Sequence, residues 1–337
     1  MFRQDRTNPS TAVSNWKGRH DTPKAWPSTA VSTWLNGGLF GSAPPFSAYF
    51  GGGLSSSTYF DLIFRVDFET DTFSVVDATI GTGSRSGMGF SNNNTAGYVV
   101  GGGTASTQVD EINKFLYDSE TCSVLGTAMP TAYESGCGLA NSPTSGYEAG
   151  GYPDVATVRV WTFSSDSYAS NATSLSAASH GSGGHSNNGT AGYWAGGSPA
   201  LDVIDKTTFS DGSLATLSAT LGDGVRATTG AANSGTAGYV YGGYHAGWDN
   251  LNKLTYSSDA NAVISLSSAL ERYATGGASN SGVAAYWFCG VVGTTNGQTG
   301  ETLKTSYATD TTAAVASAYN TSGTPQQSAG FANCASL

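Results

Sequence analysis

One short phrase recurs six times and constrains the fold more than any other feature of this sequence. Each copy is a tyrosine within a run of small and β-branched residues that closes on a glycine pair, as in GTAGYVYGG around Tyr239. The six tyrosines, spaced 46 to 49 residues apart, are Tyr49, Tyr98, Tyr147, Tyr193, Tyr239 and Tyr286. A fixed period of this length is typical of repeat architectures. We therefore expect six copies of one small structural unit.

Each period contains four short runs that have the character of strands. The first is made of small residues and ends in asparagine, and the second is the tyrosine phrase. The third ends on an aromatic residue before an acidic turn, and the fourth alternates aliphatic and polar residues. Four short strands with turn signals between them indicate an antiparallel meander. Because one such sheet cannot bury both of its faces, six sheets are expected to pack around an axis as a β-propeller.

The two ends of the chain indicate how the ring closes. The C-terminal run QQSAGFANC is a small-residue strand ending at Asn333 with no tyrosine phrase after it, and the phrase at Tyr49 lacks such a run before it. We expect these two halves to pair in one blade, which removes exposed sheet edges. The predicted fold is all-β: a six-bladed propeller of four-stranded antiparallel blades over residues 39–337, with the small-residue strands at the hub. An extended N-terminal arm covers residues 1–38.

The strand order and the glycine pair resemble the kelch repeat over about residues 44–337. The pair is present in five blades and is replaced by Cys289-Gly290 in the last, while the tryptophan usual in the fourth kelch strand is missing from all six. The particular motif, GTAGYxxGG followed by [IL][DN]K[LT]T[FY]S, looks like repeats in structural and tail-associated proteins of tailed bacteriophages. This resemblance implies a kelch-like propeller that works in a virion.

The first 38 residues do not follow the blade pattern and carry a repeat of their own. PSTAVSNW begins at Pro9 and PSTAVSTW at Pro27, and their proline and β-branched residues favour extended chain. Residues 1–40 hold five basic and two acidic residues. We expect this arm to dock into a larger particle; the alternative is an arm folded back onto its own propeller. The docking residues predicted are Arg3, Arg6, Trp16, Lys17, Arg19, Lys24, Trp26 and Trp34.

Charge and composition exclude several functional classes. The net charge of −10 disfavours a general nucleic-acid binder. The sequence contains no run of about 18 apolar residues, which is the length that would predict a membrane span. The N-terminus lacks the apolar region of a secretory signal. The four cysteines have no metal-binding spacing and are expected to be free buried thiols. His180 and His185 lie at odd separation in one strand and so face opposite sides, and we expect neither metal nor cofactor.

Several polar residues recur or stand out, and each has a structural and a functional interpretation. The acidic residues after the third strands are expected to bind their own backbone in turns; they are Asp71, Glu120, Asp166, Asp211, Asp259 and Asp310. Arg85, Arg226 and Arg272 are expected to anchor hub strands. Loops that place aromatic rings beside carboxylates suit sugars, the alternative being ordinary loop packing. The ligand face so predicted comprises Tyr152, Asp154, Tyr244, His245, Trp248 and Asp249.

These observations favour a non-enzymatic virion structural protein of a tailed phage. It would be a tail, neck or capsid-attached appendage made in the host cytoplasm, binding other virion proteins and copies of itself and contacting a host surface glycan. The alternatives are a glycan-binding host-recognition protein and a cellular surface filament or coat subunit. A carbohydrate-active enzyme is the least favoured, because an enzymatic propeller needs catalytic residues that break the repeat.

Overall fold

A computed structural model describes residues 46–333, except 170–172, 246–249, 268–269, 294, 296 and 319–325. The proposed arm over residues 1–38, with every docking residue assigned to it, lies outside the described residues. Trp248 and Asp249 of the predicted ligand face also lie outside them. The described residues form no α-helix, and so no helix among them is long and apolar enough to cross a membrane.

The described chain is built from short strands. In chain order they are β1 (Ser47–Gly51), β2 (Leu54–Ser55), β3 (Thr58–Tyr59), β4 (Leu62–Asp67), β5 (Phe73–Thr79), β6 (Met88–Asn92), β7 (Ala96–Val100), β8 (Ile112–Leu116), β9 (Thr121–Val124), β10 (Cys137–Asn141), β11 (Ser145–Ala149), β12 (Val155–Thr162), β13 (Ser167–Ala169), β14 (Ser174–Ser179), β15 (Gly183–Asn187), β16 (Ala191–Ala195), β17 (Ile204–Thr208), β18 (Leu214–Thr216), β19 (Val225–Arg226), β20 (Thr229–Asn233), β21 (Ala237–Tyr241), β22 (Tyr244–His245), β23 (Asn250–Thr255), β24 (Ala260–Ser265), β25 (Arg272–Tyr273), β26 (Gly276–Asn280), β27 (Ala284–Phe288), β28 (Val291–Val292), β29 (Glu301–Ser306), β30 (Thr311–Ala318) and β31 (Ala329–Asn333).

These strands form six blades, as the repeat predicts. From hub to rim, blades 1 to 6 are β31-β1-β4-β5, β6-β7-β8-β9, β10-β11-β12-β13, β15-β16-β17-β18, β20-β21-β23-β24 and β26-β27-β29-β30. Strand β14 also pairs with β12. The C-terminal strand pairs antiparallel with the first, so that Ser47 stands opposite Asn333. The predicted closure of the ring is confirmed.

The hub consists of the six small-residue strands, each in contact with the next around the axis. One glycine in each strand faces the backbone of the neighbouring blade: Gly89, Gly138, Gly184, Gly230, Gly277 and Gly330. A methyl group on Gly330, for example, would overlap the carbonyl oxygen of Gly277. Strands can meet this closely only without side chains, which confirms the predicted order of strands from hub to rim.

Three of the asparagines that end the small-residue runs bind the next blade. Asn141 Oδ1 accepts a hydrogen bond of 2.8 Å from the backbone N–H of Gly189 in the following hairpin turn. The same bond joins Asn187 to Gly235 and Asn233 to Gly282. Asn92 Oδ1 is buried without a partner. The equivalent turn residue in the next blade is Pro143, which has no N–H to donate.

The space between blades is filled by the tyrosines of the repeated phrase, all six of which are buried as predicted. Residue size is also matched across the interfaces. Leu139 of blade 3 packs against Gly192 of blade 4. A methyl group placed on Gly192 would lie 2.7 Å from Leu139 Cδ1. Between blades 5 and 6 the hub residue is the smaller Ala231, and Ala285 of blade 6 stands at the position that Gly192 has in blade 4. Both alanines lie in one hydrophobic cluster. A large hub residue thus faces glycine across the interface, and a small one faces alanine.

The prediction that the acidic residues bind their own turns is wrong in five blades of the six. Asp259 Oδ1 accepts a hydrogen bond of 3.0 Å from the Tyr193 hydroxyl of the preceding blade, and its Oδ2 lies 2.6 Å from Lys206 Nζ. The equivalent sets are Tyr49–Arg65–Glu120, Tyr98–Lys114–Asp166, Tyr239–Lys253–Asp310 and Tyr286–Lys304–Asp71. We call these five sets the interblade triads. Each joins a tyrosine and a cation on one blade to a carboxylate on the next.

The interface between blades 3 and 4 lacks a triad. Val160 stands opposite Tyr147 in place of the cation, and Gly212 occupies the acidic position. Asp211 is one residue too early, and its Oδ1 accepts a hydrogen bond of 2.9 Å from the Ser213 N–H. The turn interpretation therefore holds for Asp211 alone. Cation and anion are missing together, as expected if each is useful only with the other.

Candidate functional site

The hub opens at both ends, and the two openings differ in how strictly they follow the repeat. The opening where the hub strands end has a volume of about 500 Å³ and is lined mainly by serine, asparagine, alanine and glycine at repeated positions. The opening where the hub strands begin has a volume of about 380 Å³. Its wall includes His180, Arg226, Tyr244 and Tyr273, which break the repeat. We call this second opening the mouth and take it as the candidate site.

The mouth is framed by six residues in the left-handed conformation, one per blade. They are Ser86, Ser135, Gly181, Ala227, Ala274 and Gln327, with φ between 54° and 70°. The Ser86 N–H donates to the Gln327 carbonyl at 2.7 Å, and the Ser135 N–H donates to the Ser86 carbonyl at 2.8 Å. A bond of this kind crosses every interface, although between blades 4 and 5 the donor is the next residue, Thr228. The closed ring of backbone bonds makes the mouth a rigid frame.

The residue before each left-handed position varies between blades, and three of the six, His180, Arg226 and Tyr273, line the mouth. These six residues, which we call the mouth ring, are Arg85, Glu134, His180, Arg226, Tyr273 and Gln326. They occupy equivalent positions on equivalent blades, yet they comprise two arginines, a glutamate, a histidine, a tyrosine and a glutamine. Because the frame beneath them is repeated, this variation is not required by the fold. A surface that varies on a constant scaffold is where a binding site is expected.

One side of the mouth is already occupied by contacts among its own polar and charged side chains. Arg85 Nε lies 3.1 Å from Glu134 Oε2, and His180 Nδ1 lies 2.5 Å from Asp154 Oδ1. The Tyr152 ring meets His180 edge to face at 5.5 Å and is 49% exposed. Tyr152 and Asp154 of the predicted ligand face both contact His180, which lines the mouth.

The other side is built around Arg226 and two tyrosines. Arg226 pairs with Tyr244 across the short ribbon of β19 and β22, and its guanidinium carbon lies 5.0 Å from the centre of the Tyr244 ring. Tyr244 meets Tyr273 of the next blade at 5.3 Å. The mouth thus presents a cation above an aromatic surface.

The glycine pair before Tyr244 explains its position. Gly242 and Gly243 have φ of 60° and 131°, which residues with a side chain rarely adopt. In this conformation the Gly242 N–H donates to the Asn250 carbonyl at 3.0 Å. The Gly243 N–H donates at 3.1 Å to the carbonyl of Arg272, the residue before Tyr273. The pair that marks each repeat therefore ties its own blade to the next and holds Tyr244 beside Tyr273.

Arg226 differs in its charge environment from the other cations of the described chain. Eight of the nine lysines and arginines there have a carboxylate oxygen within 4 Å: Arg65, Arg85, Lys114, Arg159, Lys206, Lys253, Arg272 and Lys304. Arg226 has none among the described residues, and its main contact is the Tyr244 ring. The anchoring role predicted for three arginines fits Arg85 and Arg272, each bound to a glutamate, and does not fit Arg226.

The remaining predicted ligand-face residues contribute less. His245 is exposed on the short ribbon, and Trp248 and Asp249 lie outside the described residues. The sequence interpretation missed His180, Arg226 and Tyr273 as site residues. Aligning the repeats on the residue before each left-handed position would have exposed them, because that column contains acidic, basic and aromatic residues.

The expectation that both histidines lie in one strand is wrong: His185 lies buried in β15, whereas His180 precedes that strand and lines the mouth. His185 is stacked 5.1 Å from Tyr193, and burial lowers its pKa to about 3, which keeps the imidazole neutral. Cys137 and Cys289 are buried free thiols, Cys122 is partly buried, and Cys334 lies outside the described residues. Within the described ranges no group of three or more histidine, cysteine, aspartate or glutamate side chains is placed to hold a metal ion.

Comparison of the sequence with known protein families and with curated proteins finds no match. What the structure establishes is the six-bladed propeller itself. The likeness to kelch repeats and to phage tail repeats stays a resemblance of sequence pattern, and any function has to be argued from the mouth and the arm.

Proposed function

We propose that this protein is a non-enzymatic structural component of a tailed-phage virion whose propeller presents the mouth as a recognition surface for a host glycan. The observation that carries the recognition role is the contrast between a hub that repeats in every blade and a mouth ring that holds five residue types at six equivalent positions. The repeat sequences resemble those of phage tail-associated proteins, and this resemblance supports a location of the protein in a virion.

The construction of the propeller suits such a role. The backbone ring around the mouth, the asparagine bonds at the opposite opening and the five interblade triads each tie one blade to the next. A preorganised surface loses little conformational entropy when it binds. In this proposal the blades provide rigidity and the mouth ring provides specificity.

The arm over residues 1–38 is the proposed anchor, and its removal tests the particle role. A chain lacking residues 1–38 should stay folded and monodisperse but no longer join the particle or associate with itself, as measured by light scattering and electron microscopy. Full-length protein with Trp16→Ala and Trp34→Ala, one change in each PSTAVS phrase, should lose assembly in the same way. Assembly that survives both changes would contradict the anchor and with it the structural role.

The mouth ring by itself also favours the second candidate, a glycan-binding recognition protein that acts outside a particle. The two differ in where the protein is found. Antibody labelling of purified virions should decorate one fixed position of the particle under the first proposal and none under the second. Filaments formed by the isolated chain, without any particle, would instead favour a cellular filament or coat subunit.

A further inference from the structure

We propose that the mouth binds an acidic sugar, with the sugar carboxylate paired to Arg226 and the ring of the sugar against Tyr244 and Tyr273. The inference deepens the proposed function, because it names the ligand class of the recognition surface. It is carried by the charge, the shape and the chemistry of the mouth.

The positive charge of Arg226 favours binding of an anionic ligand. Arg226 is partly buried and lies above Tyr244, and no carboxylate of the described chain approaches it. A guanidinium presents parallel N–H donors whose spacing matches the two oxygens of a carboxylate. Within the described chain every other lysine or arginine has such a partner. At the mouth the missing partner is most simply supplied by a ligand.

The shape of the mouth fits a small ring and not a flat macromolecular surface. Its volume of about 380 Å³ lies within the range of about 300–1,000 Å³ usual for small-ligand sites. Serine and threonine side chains and backbone groups of the hub line its wall, including Ser135, Ser182 and Thr228. Tyrosine rings pack against the apolar faces of sugars while hydroxyl groups bind their edges. A monosaccharide unit would contact both the tyrosine rings and the hydroxyl groups of this wall.

The surrounding charges restrict how much negative charge the ligand can carry. Glu134 and Asp154 stand on the other side of the mouth, and residues 41–337 hold 22 acidic against 9 basic residues. An extended polyanion such as a nucleic acid would be repelled by this field. One carboxylate on an otherwise neutral sugar needs only the single cation that Arg226 offers.

The test is a titration of the full-length protein with sugars that differ in charge alone. Glucuronate and galacturonate are compared with glucose and galactose, and N-acetylneuraminate is included as a bulkier acid, with binding followed by calorimetry and by NMR of the ligand. We expect the acids to bind about tenfold or more tightly than their neutral counterparts, as a charged hydrogen-bonded pair implies. Binding should weaken as salt is raised.

A variant in the mouth and a control outside it locate the site. Arg226→Gln should weaken acid binding by about tenfold or more without affecting neutral sugars. Asp211→Asn, in an exposed turn of blade 4 outside the mouth, should leave binding within about twofold. Arg226→Lys keeps the charge but loses the paired donors, so its affinity should fall between the other two. Since Arg226 makes no ion pair within the described chain, the thermal midpoint of each variant should match the parent.

The inference is overturned if no acidic sugar binds, if acids and neutral sugars bind alike, or if Arg226→Gln binds as the parent does. Tighter binding of inorganic phosphate or of an Asp/Glu-rich peptide, run as parallel probes, would overturn the sugar class. The outcome is separable from that of the arm experiment. A virion protein that binds none of these sugars loses this inference only, whereas a chain that binds them but joins no particle loses only the virion role.

Discussion

At the residue scale, the interfaces between blades are fitted pair by pair. Leu139 faces Gly192, while the equivalent pair between blades 5 and 6 is Ala231 and Ala285. The larger hub residue faces glycine and the smaller one faces alanine. Close packing of this kind makes a change on one side costly unless the other side changes with it.

A double-mutant cycle on Leu139 and Gly192 tests this matching. Leu139→Ala leaves a cavity and should lower the free energy of unfolding by about 2–5 kcal/mol. Gly192→Ala forces a methyl group against Leu139 and should lower it by about 1–3 kcal/mol. The double variant recreates the alanine pair and should lose at least about 1 kcal/mol less than the sum. Additive losses in urea unfolding would show that the two positions are not matched.

At the element scale, the third strand and its turn connect neighbouring blades. Asp259 and the other triad carboxylates sit in the left-handed conformation, with φ of 50° at Asp259, which turns each carboxylate toward the preceding blade. There it meets a tyrosine and a cation that already face each other across two strands, as Tyr193 and Lys206 do. One residue therefore ties two strands of one blade to the turn of the next.

Asp259→Asn and Asp211→Asn separate the interblade role from the turn role. Asparagine tolerates the left-handed conformation, so the first change removes charge without adding backbone strain. Asp259→Asn should lower the free energy of unfolding by about 1–2 kcal/mol, because the pair with Lys206 is lost at a partly exposed site. Asp211→Asn, whose partner is its own turn, should cost less than about 0.5 kcal/mol. Equal losses in chemical denaturation would contradict the interblade assignment.

At the scale of the whole molecule, the ring closes through β31 and every interface has the same tyrosine at its centre. Burial, together with the neighbouring carboxylate, raises the pKa of all five triad tyrosines, Tyr49, Tyr98, Tyr193, Tyr239 and Tyr286, above the usual range. The folded chain thus keeps these protons at pH values where an unfolded chain gives them up. Five such groups act in the same direction.

The stability of the propeller should therefore fall in alkali. Below about pH 10, the ordinary tyrosine pKa, both states hold the phenol protons and the contribution is complete. Above it the unfolded state loses protons that the folded state retains, so the free energy of unfolding decreases as pH rises. Denaturation curves between pH 8 and pH 11 measure the slope, and Tyr239→Phe should make it shallower. A slope unchanged by that substitution would show that the triad tyrosines are not its source.

Much of this architecture could be read from the order of the residues. The period of the tyrosine phrase determined the number of blades, the small residues determined which strand lies at the hub, and the unmatched halves near Tyr49 and Asn333 determined the closure. The number of blades and the position of the hub strand follow from features that recur in every copy, and the closure follows from features that are missing from one copy. None of these predictions requires knowledge of distances between residues.

The tertiary structure alone decided which groups meet across blades. Tyr193 and Asp259 are 66 residues apart in the chain, and Asp259 would suit a local turn equally well by sequence. Whether Arg226 has an acidic partner likewise depends on the angular position of every carboxylate around the axis, which no local pattern records. Repetition specifies the interfaces inside the ring, whereas the chemistry of the mouth arises from residues brought together only when the ring is closed.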